Sequence, residues 1–113
     1  MAARLIASTP SEKDMQDLLA AHGRYIKLAV DVSQKRVAGG GEWHSDAEKV
    51  LLDSGSDQND IWGGDWVPES EEVEFDSMIN VSPPRGNKSR EILDSDVRQK
   101  FEEIVRDIFQ TNQ

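Results

Sequence analysis

The sequence contains no cysteine, and this absence removes several kinds of chemistry at once. Disulfide bonds, thiolate nucleophiles, cysteine-bound zinc and iron–sulfur clusters all need a sulfur atom that the chain does not have. A chain without disulfides is typical of a reducing compartment. Histidine is also scarce, with two residues, so few side chains can transfer protons near neutral pH without a shifted pKa.

Long apolar runs and an excess of positive charge are absent as well. No segment approaches the roughly 18–20 apolar residues of a membrane-spanning helix, and the apolar stretch within residues 1–8 is too short for a signal peptide. We therefore expect a cytoplasmic protein with no membrane partner. The 13 basic residues are opposed by 22 acidic ones, for a net charge of −9. This charge disfavours nucleic-acid binding, because neutralising phosphates needs clustered lysine and arginine.

The length and the periodic apolar pattern predict one folded domain. A chain of 113 residues corresponds to about one domain, and it buries about two-thirds of its surface on folding, enough for a core without metals or disulfides. No linker interrupts the sequence. We expect a single domain over residues 1–113, in which residues 1–8 are flexible or extended.

Hydrophobic periodicity predicts seven elements in the order α-β-β-α-β-β-α. Capping boxes at Thr9 and Ser45 indicate two helix starts, and an apolar stripe after Ser95 indicates a third helix. The predicted elements are a helix over residues 10–22, strands over 24–32 and 37–43, a helix from Ser45 to near Gly55, strands over 60–67 and 72–81, and a helix from Ser95. We expect an α+β fold with a four-stranded, mostly antiparallel sheet and the helices on one face.

The first candidate site lies where the glycines at 39–41 lead into the second predicted helix. Backbone donors, an imidazole and carboxylates converge there, so His44 and Asp46 are candidate catalytic residues. Metal binding by His44 and Glu48 is an alternative, but a regular helix separates positions i and i+2 by about 200°, so Asp46 and Glu48 cannot join as ligands. A structural explanation also stands, in which Ser45 caps the helix and Glu48 closes the capping box. We predict no metal and no cofactor.

The second candidate site is a basic loop. Residues 82–90 contain Arg85, Lys88 and Arg90 and no acidic residue, within an acidic chain. We therefore expect Arg85 to contact a small anionic ligand or a partner protein. The aromatic residues add a third feature, because an aromatic stripe at strand spacing either packs in the core or presents a patch to a partner. The tryptophans concerned are Trp43, Trp62 and Trp66.

Several of these segments resemble a family of small bacterial and archaeal proteins that is known only as a domain of unknown function. The resemblance covers residues 24–105 and is carried by residues 40–48 (GGEWHSDAE), 55–56 (GS), 62–66 (WGGDW) and 79–83 (INVSP), with Asn87 beyond them. It implies no activity, substrate or cofactor. If these segments form one surface, the resemblance nominates as site residues His44, Asp46, Trp62, Asn80 and Asn87.

Two functions remain open from the sequence. The first is a small non-catalytic binding or regulatory module that acts through protein–protein contacts, with homodimer formation as one way to bury an exposed sheet face. The second is a small enzyme, or a ligand- or metal-binding protein, with a polar site around His44. We favour the first, because motifs of known catalytic sites are absent from the sequence. The sequence does not decide whether the protein is an enzyme.

Overall fold

The computed structural model describes residues 2–110 and shows an α+β fold, which confirms the predicted fold class. The strands and α-helices in this part of the chain are β1 Arg4–Leu5, α1 Glu12–Leu19, β2 Ile26–Asp31, β3 Arg36–Gly39, α2 His44–Asp53, β4 Ile61–Val67, β5 Glu72–Glu74 and α3 Ser95–Phe109. Short 3₁₀ turns occur at Gln58–Asp60, Met78–Asn80 and Pro83–Arg85. None of the helices found within residues 2–110 has the length and apolar character that crossing a membrane requires.

The strands form one antiparallel sheet in the order β1-β3-β2-β4-β5. The prediction of four strands is wrong, because the sheet has five. The additional strand, β1, lies in the N-terminal segment that the sequence predicts as flexible or extended. It pairs with β3 through Arg4↔Gly39 and Leu5↔Ala38. A strand of two residues is too short to produce an alternating pattern, so periodicity does not reveal it.

The helices cover both faces of the sheet, so the prediction of helices on one face is wrong. One face of β2 packs with α1 and α3 in the main core, through Ile26, Leu28 and Val30. On the other face, Ala29 packs against α2 residues Ala47 and Leu51, and all three are fully buried. Small alanine side chains allow a helix to approach the sheet closely, but they contribute little to a hydrophobic pattern. The second apolar face is therefore weak in the sequence although it is buried in the structure.

The first helix is shorter than predicted at both ends. It begins at Glu12, and its N-cap is Ser11, whose Oγ accepts a hydrogen bond of 3.1 Å from the Asp14 N–H. Its α-helical part ends at Leu19. The Gly23 N–H donates to the Leu19 carbonyl at 2.6 Å, and Gly23 has a φ of +80° that favours glycine. The chain therefore changes direction at Gly23, the predicted end of the helix. Residues 20–22, which precede it, are not α-helical.

The start of α2 also differs from the prediction. The helix begins at His44 and its N-cap position is Trp43, so the prediction that Ser45 caps the helix is wrong. Asp46 occupies the third helical position, and its Oδ2 accepts a hydrogen bond of 3.1 Å from the Trp43 N–H. This is the carboxylate half of a capping box, which satisfies a backbone donor at the helix start. The side chain of Trp43 cannot cap the helix, because tryptophan has no hydrogen-bond acceptor. The capping hydrogen bond is instead made by Asp46, inside the helix.

Candidate functional site

The residues proposed from the sequence fall into two groups in the structure. One group gathers along the side of β4 that faces away from β2, and its members are Trp62, Asn80, Arg85 and Asn87. The other group lies at the N-terminus of α2 and consists of His44 and Asp46. Glu48 is one helical turn beyond His44. The two groups contact neighbouring residues of β4, because His44 bonds to Gly64 and Asp65 while Asn80 bonds to Gly63.

Asn80 takes the place of a strand partner for β4. Its Oδ1 accepts a hydrogen bond of 2.8 Å from the Gly63 N–H, and its Nδ2 donates to the Gly63 carbonyl at 3.0 Å. One carboxamide thus pairs with both backbone groups of Gly63, as a peptide group of a neighbouring strand would. Nδ2 also lies within hydrogen-bonding distance of the carbonyls of Phe75, at 3.1 Å, and Arg90, at 2.9 Å. The side chain is fully buried, so it positions the surrounding backbone and is not exposed to a ligand.

Two further features support this arrangement. Gly63 has no side chain, and a Cβ there would lie 2.6 Å from the Cβ of Ser77, so only glycine lets the segment after β5 approach β4 this closely. Asn87 is buried and organises the loop that follows. Its Oδ1 accepts from the Leu93 N–H at 2.9 Å, and its Nδ2 faces the Asn80 carbonyl at 2.9 Å. Both asparagines therefore fix backbone positions by internal hydrogen bonds.

Arg85 lies flat on Trp62 and is held there by backbone carbonyls. The guanidinium carbon is 3.6 Å from the centroid of the indole ring, a close cation–π contact. Nη1 donates to the carbonyls of Asn59, at 3.1 Å, and Ile61, at 2.9 Å. Nη2 donates to the Ile79 carbonyl at 3.3 Å. Nε has no partner within residues 2–110, so one side of the guanidinium keeps a free donor.

A polar cavity of about 240 Å³, which we call the Arg85 cavity, opens beside this guanidinium. Its walls come from α2, from the turn before β4 and from the loop after β5, and they consist of Glu48, Gln58, Asn59, Ile79, Val81, Ser82, Pro84 and Arg85. Burial lowers the pKa of Arg85, while the carboxylates of Glu48 and Asp60 act in the opposite direction. The cavity lining therefore contains both a positive charge held in place by hydrogen bonds and a carboxylate, that of Glu48.

His44 connects the start of α2 to β4. Its Nε2 lies 2.9 Å from Oδ1 of Asp65 and 3.1 Å from the Gly64 carbonyl. Both partners are acceptors, so Nε2 carries the hydrogen and donates. The side chains of His44 and Asp65 are 12% and 11% exposed. Nδ1 has no partner in the described part of the chain, and no unpartnered side-chain nitrogen there is buried. A carboxylate that orients an imidazole in this way can assist proton transfer at the other nitrogen.

Two charged neighbours of Asp65 were not identified from the sequence. Cross-strand pairing places Lys27 of β2 on one side of Asp65 and Glu74 of β5 on the other. Partial burial raises the pKa of Glu74 above its ordinary value of 4.5, and so do a hydrogen bond with Asp65 and the negative charges of Asp65, Glu72 and Asp76. The sequence contains one indication of this cluster, since Asp65 is a charged residue within a strand of otherwise apolar residues and glycines.

The raised pKa of Glu74 predicts a pH-dependent effect on stability. The folded state binds the proton more tightly than the unfolded state, so this group stabilises the fold below about pH 4.5, and that contribution is lost as pH rises through the folded pKa. Glu74→Gln should therefore raise the free energy of unfolding at neutral pH. Because Glu74 is at the surface, we expect a gain of less than about 1 kcal/mol. Urea denaturation of parent and variant across the acidic-to-neutral range measures it.

Glu69→Gln is the matched control for that series, since it removes one exposed carboxylate whose ion pair with Arg24 is itself fully at the surface. Its stability difference from the parent protein should stay near zero across the range. A Glu74→Gln variant that is no more stable than the parent at neutral pH would contradict the assignment, and so would a gain that increases in acid.

Metal binding finds no ligand set here. Within residues 2–110, no group of three or more histidine, aspartate or glutamate side chains is arranged to hold a metal ion. The sequence alternative of His44 with Glu48 would need a third ligand. The Nε2 of His44 already donates to Asp65, and the nearest recorded partner of Glu48 is the Gln58 side chain, at 3.5 Å.

A groove lies beside β1, at the open edge of the sheet. We call it the β1 groove; its volume is about 510 Å³, and it is lined by Leu5, Ile6, Ala7, Lys35, Arg36, Val37, Ser54 and Ile108. Leu5 is 47% exposed. The lining contains two cations and no carboxylate, although acidic residues outnumber basic ones 22 to 13 in the chain. No sequence pattern reveals this groove, because it is formed by segments that are far apart in the chain.

The backbone at this edge has unpaired groups. The Ile6 N–H donates to the Val37 carbonyl at 2.8 Å, so Ile6 faces β3. Residues of an antiparallel strand alternate in the direction of their N–H and C=O groups. The backbone groups of Leu5 therefore point away from β3, and in the described part of the chain no strand covers that side.

A family model matches residues 4–108, which is nearly the whole chain. The chain belongs to the family described as Protein of unknown function (DUF5674). The prediction of a family of unknown function is thus confirmed, whereas its bacterial and archaeal range stays a prediction. No curated protein and no solved structure matches the chain. The family assigns no activity, so the function has to be inferred from the two groups of residues and the β1 groove.

Proposed function

We propose that this member of the DUF5674 family is a non-catalytic binding module that pairs the open edge of β1 with an extended, acidic segment of a partner protein. The observation that carries the proposal is the β1 groove, where an unpaired strand edge meets an apolar surface with two cations and no carboxylate. Addition of a strand to an exposed sheet edge is a common mode of peptide recognition.

Each part of the groove has a counterpart in such a segment. The outward backbone groups of Leu5 can form main-chain hydrogen bonds, which supply affinity without regard to sequence. The exposed Leu5 side chain and Ile108 offer apolar contact for alternate residues of the incoming strand. Lys35 and Arg36 lie along the same groove and favour carboxylates, and neither forms an ion pair within residues 2–110.

The other sheet edge and a second copy of the chain are less suitable. β5 exposes Glu72 and Glu74 along its edge, and charged side chains of this kind resist strand addition. A second copy would bring its own β1 groove, whose lining contains two cations and no carboxylate, so that groove would offer no opposite charge to Lys35 and Arg36. The homodimer expected from the sequence is therefore an alternative outcome of the experiment.

The test uses two blocked hexapeptides, one alternating glutamate with valine and one alternating lysine with valine. We expect the acidic peptide to bind and the basic one not to bind. Lys35→Glu should lower the affinity for the acidic peptide by about tenfold, which corresponds to ~1.4 kcal/mol. The difference should shrink at high salt, because exposed charges are screened. Fluorescence anisotropy of labelled peptides measures the affinities.

Lys88→Glu is the control, since it makes the same change in net charge on an exposed loop residue outside the groove. It should leave peptide binding unchanged. Equal binding of both peptides, or equal loss in the two variants, would refute the acidic specificity. Analytical ultracentrifugation of the free protein adds the remaining outcome: a dimer that peptide does not dissociate would replace the proposed partner by a second copy.

A further inference from the structure

We propose that the Arg85 cavity binds a small zwitterion of amino-acid size, with its carboxylate on Arg85 and its ammonium group on Glu48. This site is separate from the β1 groove: the two linings share no residue. It is also separate from the His44–Asp65 pair. His44 is one helical turn before Glu48 on α2, and Asp65 is on β4. The inference depends on the geometry of the cavity and does not require the proposed strand pairing.

Arg85 is prepared to receive a carboxylate. A guanidinium has five N–H donors, and those of Arg85 make hydrogen bonds to three carbonyls, of Asn59, Ile61 and Ile79. Nε and one further donor remain without partners in the described part of the chain. The plane is fixed by the carbonyls on one side and by the Trp62 ring beneath it, at 3.6 Å. A rigid guanidinium with free donors suits planar carboxylates, and less conformational freedom is lost on binding.

Glu48 supplies the opposite charge in the lining of the same cavity. Both side chains line the same cavity, yet they form no ion pair with each other. Within residues 2–110, the side-chain hydrogen bond of Glu48 comes from Gln58 Nε2 at 3.5 Å, the upper limit for such a bond, so its carboxylate is weakly held. Two opposite charges that line one cavity without pairing with each other are complementary to a ligand that carries both signs a short distance apart.

The size and walls of the cavity restrict the ligand further. A volume of about 240 Å³ is below the roughly 300–1,000 Å³ of pockets for drug-sized ligands, so a compact molecule fits best. Ile79, Val81 and Pro84 provide an apolar wall between the two charges, and the Ser82 hydroxyl adds a polar group. These features favour a short aliphatic or hydroxylated side chain. They disfavour large aromatic ligands and polyanions, which Glu48 would repel.

The experiment compares zwitterions with analogues that carry one charge only. The probes are glycine, L-alanine, L-serine and L-valine, with propionate lacking the ammonium group and ethylammonium lacking the carboxylate. Amide chemical shifts of the ¹⁵N-labelled protein report binding and its location. We expect at least one amino acid to bind with a Kd of about 1 mM or tighter, with shifts centred on the cavity residues. Propionate and ethylammonium should bind at least about tenfold more weakly.

Glu48→Gln separates this proposal from a nonspecific effect and from a folding defect. Glu48 supports no buried hydrogen bond, so the variant should fold, and it should lose the preference for the amino acid over propionate. Lys88→Gln, in the same loop but outside the cavity lining, is the control and should bind as the parent does. Absence of any binding by the four amino acids would overturn the proposal. Binding that Glu48→Gln leaves unchanged would also overturn it, whatever happens to strand pairing at β1.

Discussion

Replacement of Asn80 by alanine should lower the free energy of unfolding by about 2–5 kcal/mol. The substitution removes the acceptor for the Gly63 N–H and the donor for the Gly63 carbonyl, and it frees the carbonyls of Phe75 and Arg90. The site is fully buried, so water cannot replace these bonds without opening the structure. A net cost of about 0.5–1.5 kcal/mol for each of these four contacts gives about 2–6 kcal/mol, and the upper end is lower, about 5 kcal/mol, because the two hydrogens of Nδ2 are shared among three carbonyls. Urea denaturation followed by circular dichroism measures the change.

Asn59→Ala is the matched control, because Asn59 is exposed and its side chain forms no hydrogen bond within the described residues. It should change stability by less than about 0.5 kcal/mol. Hydrogen exchange gives a second readout, since Asn80→Ala should specifically accelerate exchange at the Gly63 amide. If the amide of Gly63 stays as protected as in the parent protein, Asn80 does not replace a strand partner.

Replacement of Phe101 by alanine should cost about 3–5 kcal/mol of stability. The ring is fully buried in the main core. It lies under Gly64, where an added Cβ would be 2.7 Å from the ring, and its centroid is 5.7 Å from that of Phe75. Alanine would leave a cavity between α3 and the sheet that neither neighbour can fill, since Gly64 has no side chain. Denaturant unfolding with an unchanged m-value measures the loss.

Phe101→Leu distinguishes the cost of lost side-chain volume from the cost of losing the aromatic ring. It keeps most of the apolar bulk, so its cost should be clearly smaller than that of alanine. A loss below about 1 kcal/mol for Phe101→Ala would mean that α3 does not pack on β4 as described. Equal costs for leucine and alanine would point to a requirement for the aromatic contact with Phe75 instead of a cavity.

The sequence predicted α3 well, because local periodicity and tertiary packing agree there. The stripe predicts that α3 docks through Phe101, Ile104, Val105 and Ile108. The first three are buried in the main core, and Ile108 is partly buried and packs against it. The helix begins at Ser95, as predicted. The apolar stripe of an amphipathic helix shows which face is buried, so the sequence pattern alone is sufficient to predict the helix and its buried face.

The strand predicted over residues 72–81 shows where the same reasoning fails. β5 ends at Glu74, and Met78–Asn80 forms a 3₁₀ turn. Alternation over residues 72–81 predicts that Ser77 and Val81 face inward and Asn80 faces outward. Ser77 is fully buried, but so is Asn80, and Val81 is 40% exposed. The 3₁₀ turn breaks the alternation, and alternation in any case does not show whether the backbone bonds to a neighbouring strand. Here the Asn80 carboxamide makes those bonds, and periodicity cannot distinguish the two arrangements.

The candidate sites were predicted as residue types more successfully than as arrangements. His44 and Arg85 were both selected from the sequence, whereas the partners that give them their geometry, Asp65 and Glu48, were missed or assigned to another role. Asp65 of β4 meets His44 through the packing of α2 on the sheet, and Glu48 lines the same cavity as Arg85, between distant segments. Such pairings depend on tertiary structure, and one sequence carries no direct record of them. The ligand-binding role of Trp62, Asn80 and Asn87 stays a prediction.

The two inward-facing asparagines have a consequence for how this family can diversify. The path of residues 75–93 is set by Asn80 and Asn87. Their side-chain amides form hydrogen bonds with backbone groups and not with particular side chains. Outward positions such as Met78, Val81 and Lys88 are exposed and contribute little to that path. Selection can therefore change Val81, which lines the Arg85 cavity, and these exposed neighbours while the loop keeps its shape. A scaffold of this kind supports new ligand preferences at little risk to folding, provided that both asparagines are retained.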